Sequence, residues 1–124
     1  MTSREYIEQA MRTHHGEYTF EGSEDVPPQL EHALWGITSE SGEMADLIKK
    51  AKIHGKTLDT VELIGEAGDM MWYFALFCDA LDISFEDLWD KNIRKLQARF
   101  PEGYDNQEML EKTNRSGERE ELEK

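Results

Sequence analysis

The sequence predicts an all-α fold, a four-helix bundle completed by oligomerisation. Three observations carry that reading. Between Leu30 and Phe100, where leucine, isoleucine, methionine and aromatic residues cluster, the apolar positions recur at helical spacing, and no stretch alternates as a half-buried strand does. Each such stretch is bounded by capping residues or by glycine and proline. The chain is 124 residues long with 38% apolar content, which makes one domain with a modest core, and small domains with strongly apolar helices often finish their burial by self-association.

The first helix is expected from Thr2 to about His14, with Tyr6, Ile7, Ala10 and Met11 on one side. Thr2 or Ser3 caps it, and Glu5 sits in its first turn. The stretch "GEYTFEGSEDVPP" then reads as a loop, and Pro27-Pro28 suits the entry to the next helix. The second helix should run from about Gln29 to Ile53, because Leu30, Ala33, Leu34, Ile37, Met44, Leu47, Ile48 and Ala51 share one arc. "HGKTLD" ends it, with Gly55 as a left-handed residue.

The third helix is expected from about Asp59 to Leu81. It is apolar on nearly every side from Met70 to Cys78, as suits a helix surrounded by others, and its outer side, Trp72 and Leu76, is expected to face another subunit. In "DISFEDLWDKNIRKLQARF", Ser84 caps the fourth helix and Asp87 takes the capping-box position. Pro101 and Gly103 stop it. Few apolar residues follow Asp105, so residues 1–104 form the expected domain and 105–124 a charged, mobile tail with at most one short helix.

A formal charge of −13 argues against nucleic acid or an anionic membrane as partner, since both repel it. The single cysteine, Cys78, excludes an internal disulfide and fits a reducing compartment. No charged-then-apolar leader opens the sequence, and the longest apolar run, "MMWYFALFC", is too short to span a bilayer. The expected location is the cytoplasm of a bacterium or of a phage-infected host.

Two similar tetrads, "ESGE" at Glu40–Glu43 and "EAGD" at Glu66–Asp69, place paired carboxylates inside otherwise apolar helices. On a helical wheel Glu40 falls within the apolar arc of the second helix, and Glu43 lies about 60° to the side. Glu66 borders the arc of Leu63, Met70, Phe74 and Phe77, flanked by Asp69, and Glu62 and Tyr73 extend that edge into a stripe. Acids in an acidic protein are most often solvated or paired with lysine, and Lys49 and Lys50 are nearby in sequence. Four of them in two matching pairs are better explained by a hard divalent cation, which satisfies oxygens that otherwise repel and are costly to desolvate.

Without a histidine or cysteine pair beside them, the four acids favour Mg²⁺ or Mn²⁺ over Zn²⁺. His14, His15, His32 and His54 do not form the Glu-x-x-His pairs of a di-iron bundle. Magnesium keeps positions open for water and phosphates, so a polyphosphate is the expected substrate. Gly42 and Gly68 fall within the tetrads at a cost of about 1 kcal/mol each in a helix, which suggests close helix packing or approach of a ligand. Trp35, a turn before Glu40, is a candidate to stack on a nucleobase, and His32 a candidate to hydrogen-bond it.

"ESGEMADLIKK", "ELIGEAGDMMWY" and "NIRKLQARFPEGY" together resemble the MazG-like branch of the all-α nucleoside triphosphate pyrophosphohydrolases, over roughly residues 4–104. The family's E-x-x-E, spacer, E-x-x-D signature falls on Glu40, Glu43, Glu66 and Asp69. The resemblance implies hydrolysis of a (deoxy)nucleoside triphosphate between the α and β phosphates, with magnesium held by those four acids. It also implies Tyr73 as a phosphate contact and Asn92, Lys95 and Arg99 as contacts to the metal-bound triphosphate. Those last three share one face of the fourth helix at i, i+3 and i+7.

A site shared between protomers, with its base pocket closed by the first helix or its loop, follows from the same resemblance, and the apolar third helix leads to the expectation of a dimer or tetramer. Some members carry a further glutamate where this chain has Ser39, so Glu40 or Glu43 becomes the expected general base. The competing reading is a non-catalytic helical interaction module whose acids form a solvated face. Base preference among dUTP, dCTP, dGTP and non-canonical nucleotides lies outside the signature.

Overall fold

The computed structural model describes residues 1–103 and 115–124, and among them every regular element is helical. The chain forms two compact units, Met1–Asp82 and Ile83–Lys124.

The first unit holds α1 (Ser3–Met11), α2 (Pro28–Lys52) and α3 (Thr60–Leu81). Thr2 and Glu5 form a reciprocal capping box at the start of α1, which satisfies two of the amides that a helix start leaves open. Pro28 opens α2, where the missing N–H costs nothing. The side chain of Asp59 caps α3 by accepting from the Glu62 amide at 3.0 Å. Asp82 ends α3 in the left-handed region (φ 52°), and Gly55 takes the same region (φ 66°) after α2.

The pairs that meet across α2 and α3 make these two helices antiparallel. Gln29 donates to the Leu76 carbonyl oxygen and to Asp79 near one end, Gly36 faces Tyr73 further along, and Glu43 meets Glu66 beyond that. α1 packs on α3 rather than on α2. The buried apolar residues of this unit are Ala10, Ala33, Ala75, Leu76 and Cys78, mostly small side chains that let the backbones approach.

Trp72 and Leu76 do not form an outward face, which corrects the sequence expectation. Leu76 is 0% exposed. The Trp72 indole Nε1 donates to the Ala10 carbonyl oxygen (3.0 Å) and to Thr13 Oγ1 (2.7 Å) at the end of α1. A wheel drawn for one helix does not show that α1 returns to cover it. What α3 leaves open instead is Val61 (79% exposed), Ile64 and Met71.

The second unit holds α4 (Phe85–Arg99) and α5 (Arg115–Glu123). Ser84 and Asp87 form the expected capping box, and α5 packs along α4. Residues 104–114, which include the first part of the 105–124 region read as a tail, lie outside the described residues.

Candidate active site

The antiparallel register of α2 and α3 decides which carboxylates meet. One oxygen each of Glu40, Glu43 and Glu66 lie within 4.8 Å of one another. Glu40 and Glu66 are half-buried, and Glu43 is exposed. Glu40 Oε2 is buried without a hydrogen-bond partner among the described residues, and such an orphan acceptor is costly unless a cation or proton satisfies it.

Crowding raises the proton affinity of Glu43 and Glu66. Glu43 is pushed above the usual carboxylate range, first by a shared hydrogen bond with Glu66 and then by the charge of Glu66. Glu66 is pushed up as well, chiefly through its hydrogen bond with Glu40. Lys50 does not neutralise the cluster, because it is paired with Asp46 at 3.0 Å on the same helix.

The fourth acid, Asp69, stands outside the group of three. It lines a cleft of about 390 Å³ with Glu40, Trp72 and Tyr73. Glu43 and Glu66 line a second cleft, of about 460 Å³, with Ser39, Asp46, Lys50 and Glu62. The four signature acids therefore straddle two clefts, one acidic and one aromatic, with Glu40 reaching both the cluster and the aromatic cleft.

Tyr73 lines the aromatic cleft. Its ring lies on α2 at Gly36, and burial, followed by the charges of Glu40, Asp69 and Glu43, raises the affinity of its hydroxyl for the proton. A neutral phenol beside this many acids stays a donor at neutral pH. Tyr6 of α1 also feels the charge of Asp69, after burial, and its hydroxyl is shifted upward too.

The aromatic wall continues past Tyr73. His32 meets Tyr73 and Trp72 edge-on, with ring centroids 5.6 and 6.2 Å apart. Trp35 is 57% exposed and lies 5.5 Å from Phe20 in the α1–α2 loop. The structure thus brings His32 into the aromatic wall beside the acids, and places Trp35 against the loop.

Asn92, Lys95 and Arg99 lie on α4 in the second unit. Asn92 is exposed and lines an apolar cavity with Leu88, Trp89 and Ile93. Lys95 is half-buried. Arg99 forms an ion pair with the buried Glu118 of α5, close by charge though not aligned as a hydrogen bond.

Gly42 and Gly68 meet nothing among the described residues within 4 Å where a Cβ would stand. Close packing among the described residues is therefore not what keeps these two positions glycine. Sequence reasoning passed over Tyr18 and Phe20, whose only signal was a cluster of aromatic and histidine residues in "HHGEYTF".

An all-helical chain in which two antiparallel helices converge carboxylates beside an aromatic cleft has the parts of a helical hydrolase for phosphorylated substrates. Residues 29–104 match the model of the MazG nucleotide pyrophosphohydrolase domain, and the chain belongs to that family. It is also similar to the Gene 37 protein of Mycobacterium phage L5, with 32% identity over 90 residues that cover 69% of this chain and 79% of the phage protein. No solved structure matches significantly. No helix among the described residues is long and apolar enough to cross a membrane.

Proposed function

We propose that the protein hydrolyses a (deoxy)nucleoside triphosphate between the α and β phosphates, releasing a nucleoside monophosphate and pyrophosphate. The observation that carries the reading is the convergence of Glu40, Glu43 and Glu66, with Glu40 Oε2 buried and without a hydrogen-bond partner among the described residues. An all-oxygen donor set suits a hard cation, so Mg²⁺ is the proposed cofactor, with Mn²⁺ able to replace it. Glu40, Glu43 and Glu66 would hold it, with Asp69 as the fourth ligand. When bound, the ion supplies neutralisation of triphosphate charge and polarisation of the α-phosphorus.

The chain's own residues then divide the remaining work. Glu43 is the exposed member of the cluster and the one water reaches most readily, so of Glu40 and Glu43 it is the better acceptor for the proton of the attacking water. The Tyr73 hydroxyl donates to a phosphate oxygen. Lys95 and Arg99 offset charge on the leaving pyrophosphate, and Asn92 adds an amide contact. Trp35 and His32 bind the base.

Self-association as a dimer or tetramer covers Val61, Ile64 and Met71. The activity serves control of nucleotide pools in the cytoplasm, with neither nucleic acid nor membrane as partner.

The deciding experiment incubates the full chain with each canonical dNTP, NTP and a set of modified nucleotides, with and without Mg²⁺, and measures pyrophosphate. Release of pyrophosphate from at least one nucleotide, abolished by chelation, is expected. Absence of turnover with every nucleotide, together with no stabilisation by Mg²⁺ or Mn²⁺ on heating, would overturn the enzyme reading and leave the acidic face as an interaction surface.

A further inference from the structure

The α1–α2 loop carries Tyr18, whose hydroxyl lies 2.9 Å from His14 Nε2 and 2.9 Å from His32 Nδ1. A phenol has one proton to give and oxygen lone pairs to receive. When both imidazoles are neutral and Tyr18 gives its proton to one of them, that ring accepts and the other donates to the Tyr18 oxygen. The tautomer of His32 is thereby tied to that of His14.

The consequence appears at the other ring nitrogen. If Tyr18 donates to His32 Nδ1, the His32 proton is on Nε2, which is then a donor. If Tyr18 donates to His14, His32 Nδ1–H gives to Tyr18, and Nε2 becomes an acceptor. With Nδ1 engaged by Tyr18, Nε2 is the ring nitrogen left for a ligand. Burial, and then the neighbouring His14 and His15, hold His32 below the usual imidazole range, which keeps it neutral and so able to exist in either tautomer.

The same tyrosine anchors the loop. Its ring meets Phe20 edge-on at 5.4 Å, and Phe20 lies 5.5 Å from Trp35. His32 rests against Tyr73 and Trp72, which line the aromatic cleft. One hydroxyl therefore joins the loop, the aromatic pair and the cleft wall.

We propose that Tyr18 is a specificity-determining positioning residue: by bridging His14 and His32 it fixes whether His32 Nε2 offers a hydrogen-bond donor or an acceptor to the nucleobase. The inference rests on the nucleotide-hydrolase reading and adds the device that selects the base. A fixed Nε2 distinguishes a base with an exocyclic amino group from one with a carbonyl at the same edge, because the wrong partner leaves two donors or two acceptors facing each other.

The test compares wild type with Tyr18→Phe, which keeps the ring against Phe20 and removes only the hydroxyl. KM and kcat are measured for dCTP against dUTP and for dATP against dGTP, and the His32 ring ¹⁵N shifts are recorded without substrate. Wild type is expected to show one dominant His32 tautomer, and the variant a mixture.

The ratio of kcat/KM between the preferred base and its amino or carbonyl counterpart should fall about tenfold, the worth of one hydrogen bond. The fall should lie in KM, with kcat within about twofold and Mg²⁺-induced thermal stabilisation unchanged. A lower melting temperature with an unaltered base ratio would overturn the inference and make Tyr18 a structural residue only. Absence of wild-type turnover with every nucleotide sinks the hydrolase reading and the nucleobase with it, whereas turnover with an unchanged ratio sinks this inference alone.

Discussion

Gly36 lies under the ring of Tyr73, so closely that a methyl group at position 36 would overlap ring carbons Cδ1 and Cε1. The contact holds Tyr73 in the cleft shared with Glu40 and Asp69. Gly36→Ala should therefore act in two opposed ways. Alanine gains about 1 kcal/mol of helix propensity, while overpacking costs about 1–3 kcal/mol. The expected net result is a slightly less stable protein whose KM rises several-fold because the Tyr73 hydroxyl has moved. An unchanged KM in Gly36→Ala would show that Tyr73 is packing and not a substrate contact.

Glu43 offers the cleanest test of the metal cluster, because it is exposed and its replacement leaves the core intact. Glu43→Gln keeps the shape and removes the charge. Loss of groups that only orient metal ligands costs about 10–100-fold, so loss of a ligand should lower kcat/KM by at least about a hundredfold. The rise in melting temperature on adding Mg²⁺ should shrink in parallel. Retained activity and retained Mg²⁺ stabilisation would place the cation elsewhere.

The same crowding predicts a pH dependence. Glu43 and Glu66 are both shifted upward, so above the usual carboxylate range the folded chain binds more protons at these sites than the unfolded chain does. Their contribution to stability is then present at low pH and is lost as pH rises through the raised values. Asp46 and Asp87 are shifted downward, by Lys50 and by the Ser84 cap, and their stabilisation is lost only below about pH 4. Metal-free protein should melt at a lower temperature at pH 8 than at pH 5.5, and Mg²⁺ should restore more stability at pH 8. A Glu43→Gln/Glu66→Gln double variant that keeps the full wild-type slope would assign it to other groups.

These groups also show what local sequence reveals. Capping boxes at Thr2–Glu5 and Ser84–Asp87 are complete within four residues, so the helix starts are legible without tertiary information. The carboxylate pairs are legible because three residues make nearly one helical turn. That Glu43 meets Glu66 depends on the register of an antiparallel pair, which the family signature supplied and the spacing alone did not. The partners of Trp72 and Tyr18 were not legible: they are Ala10, Thr13, His14 and His32, set by how α1 and its loop fold back. The partner of Arg99 was not legible for the same reason, since Glu118 lies beyond the end of its helix.

Gly42 and Gly68 face open space among the described residues. If nothing else approaches them, alanine should stabilise each helix by about 1 kcal/mol, or about 4 °C in a chain of this size. Gly68 lies on α3 with Val61, Ile64 and Met71, the exposed side assigned to a second copy, and Gly42 lines the acidic cleft. The expected outcome is that Gly68→Ala weakens self-association in light scattering and that Gly42→Ala raises KM. A simple gain in melting temperature in both, with mass and kinetics unchanged, would remove the functional reading of these glycines.

Arg99 and Glu118 set the last test, because the pair places a carboxylate where the resemblance expects a phosphate. Arg99 is bound by the buried Glu118 of α5, and neighbouring Arg94 lies 3.8 Å from Glu121. If Arg99 serves the leaving pyrophosphate, it must exchange this carboxylate for a phosphate oxygen, and Glu118 competes with substrate. Glu118→Gln should then lower KM several-fold and strengthen inhibition by pyrophosphate. It should also cost stability, because it removes one charged partner of a largely buried pair, here by about 1–3 kcal/mol. Melting temperature and KM separate the two roles. A drop in melting temperature with KM and pyrophosphate inhibition unchanged would make Arg99 the strut that holds α5 to α4, and the phosphate contact would pass to Lys95 alone.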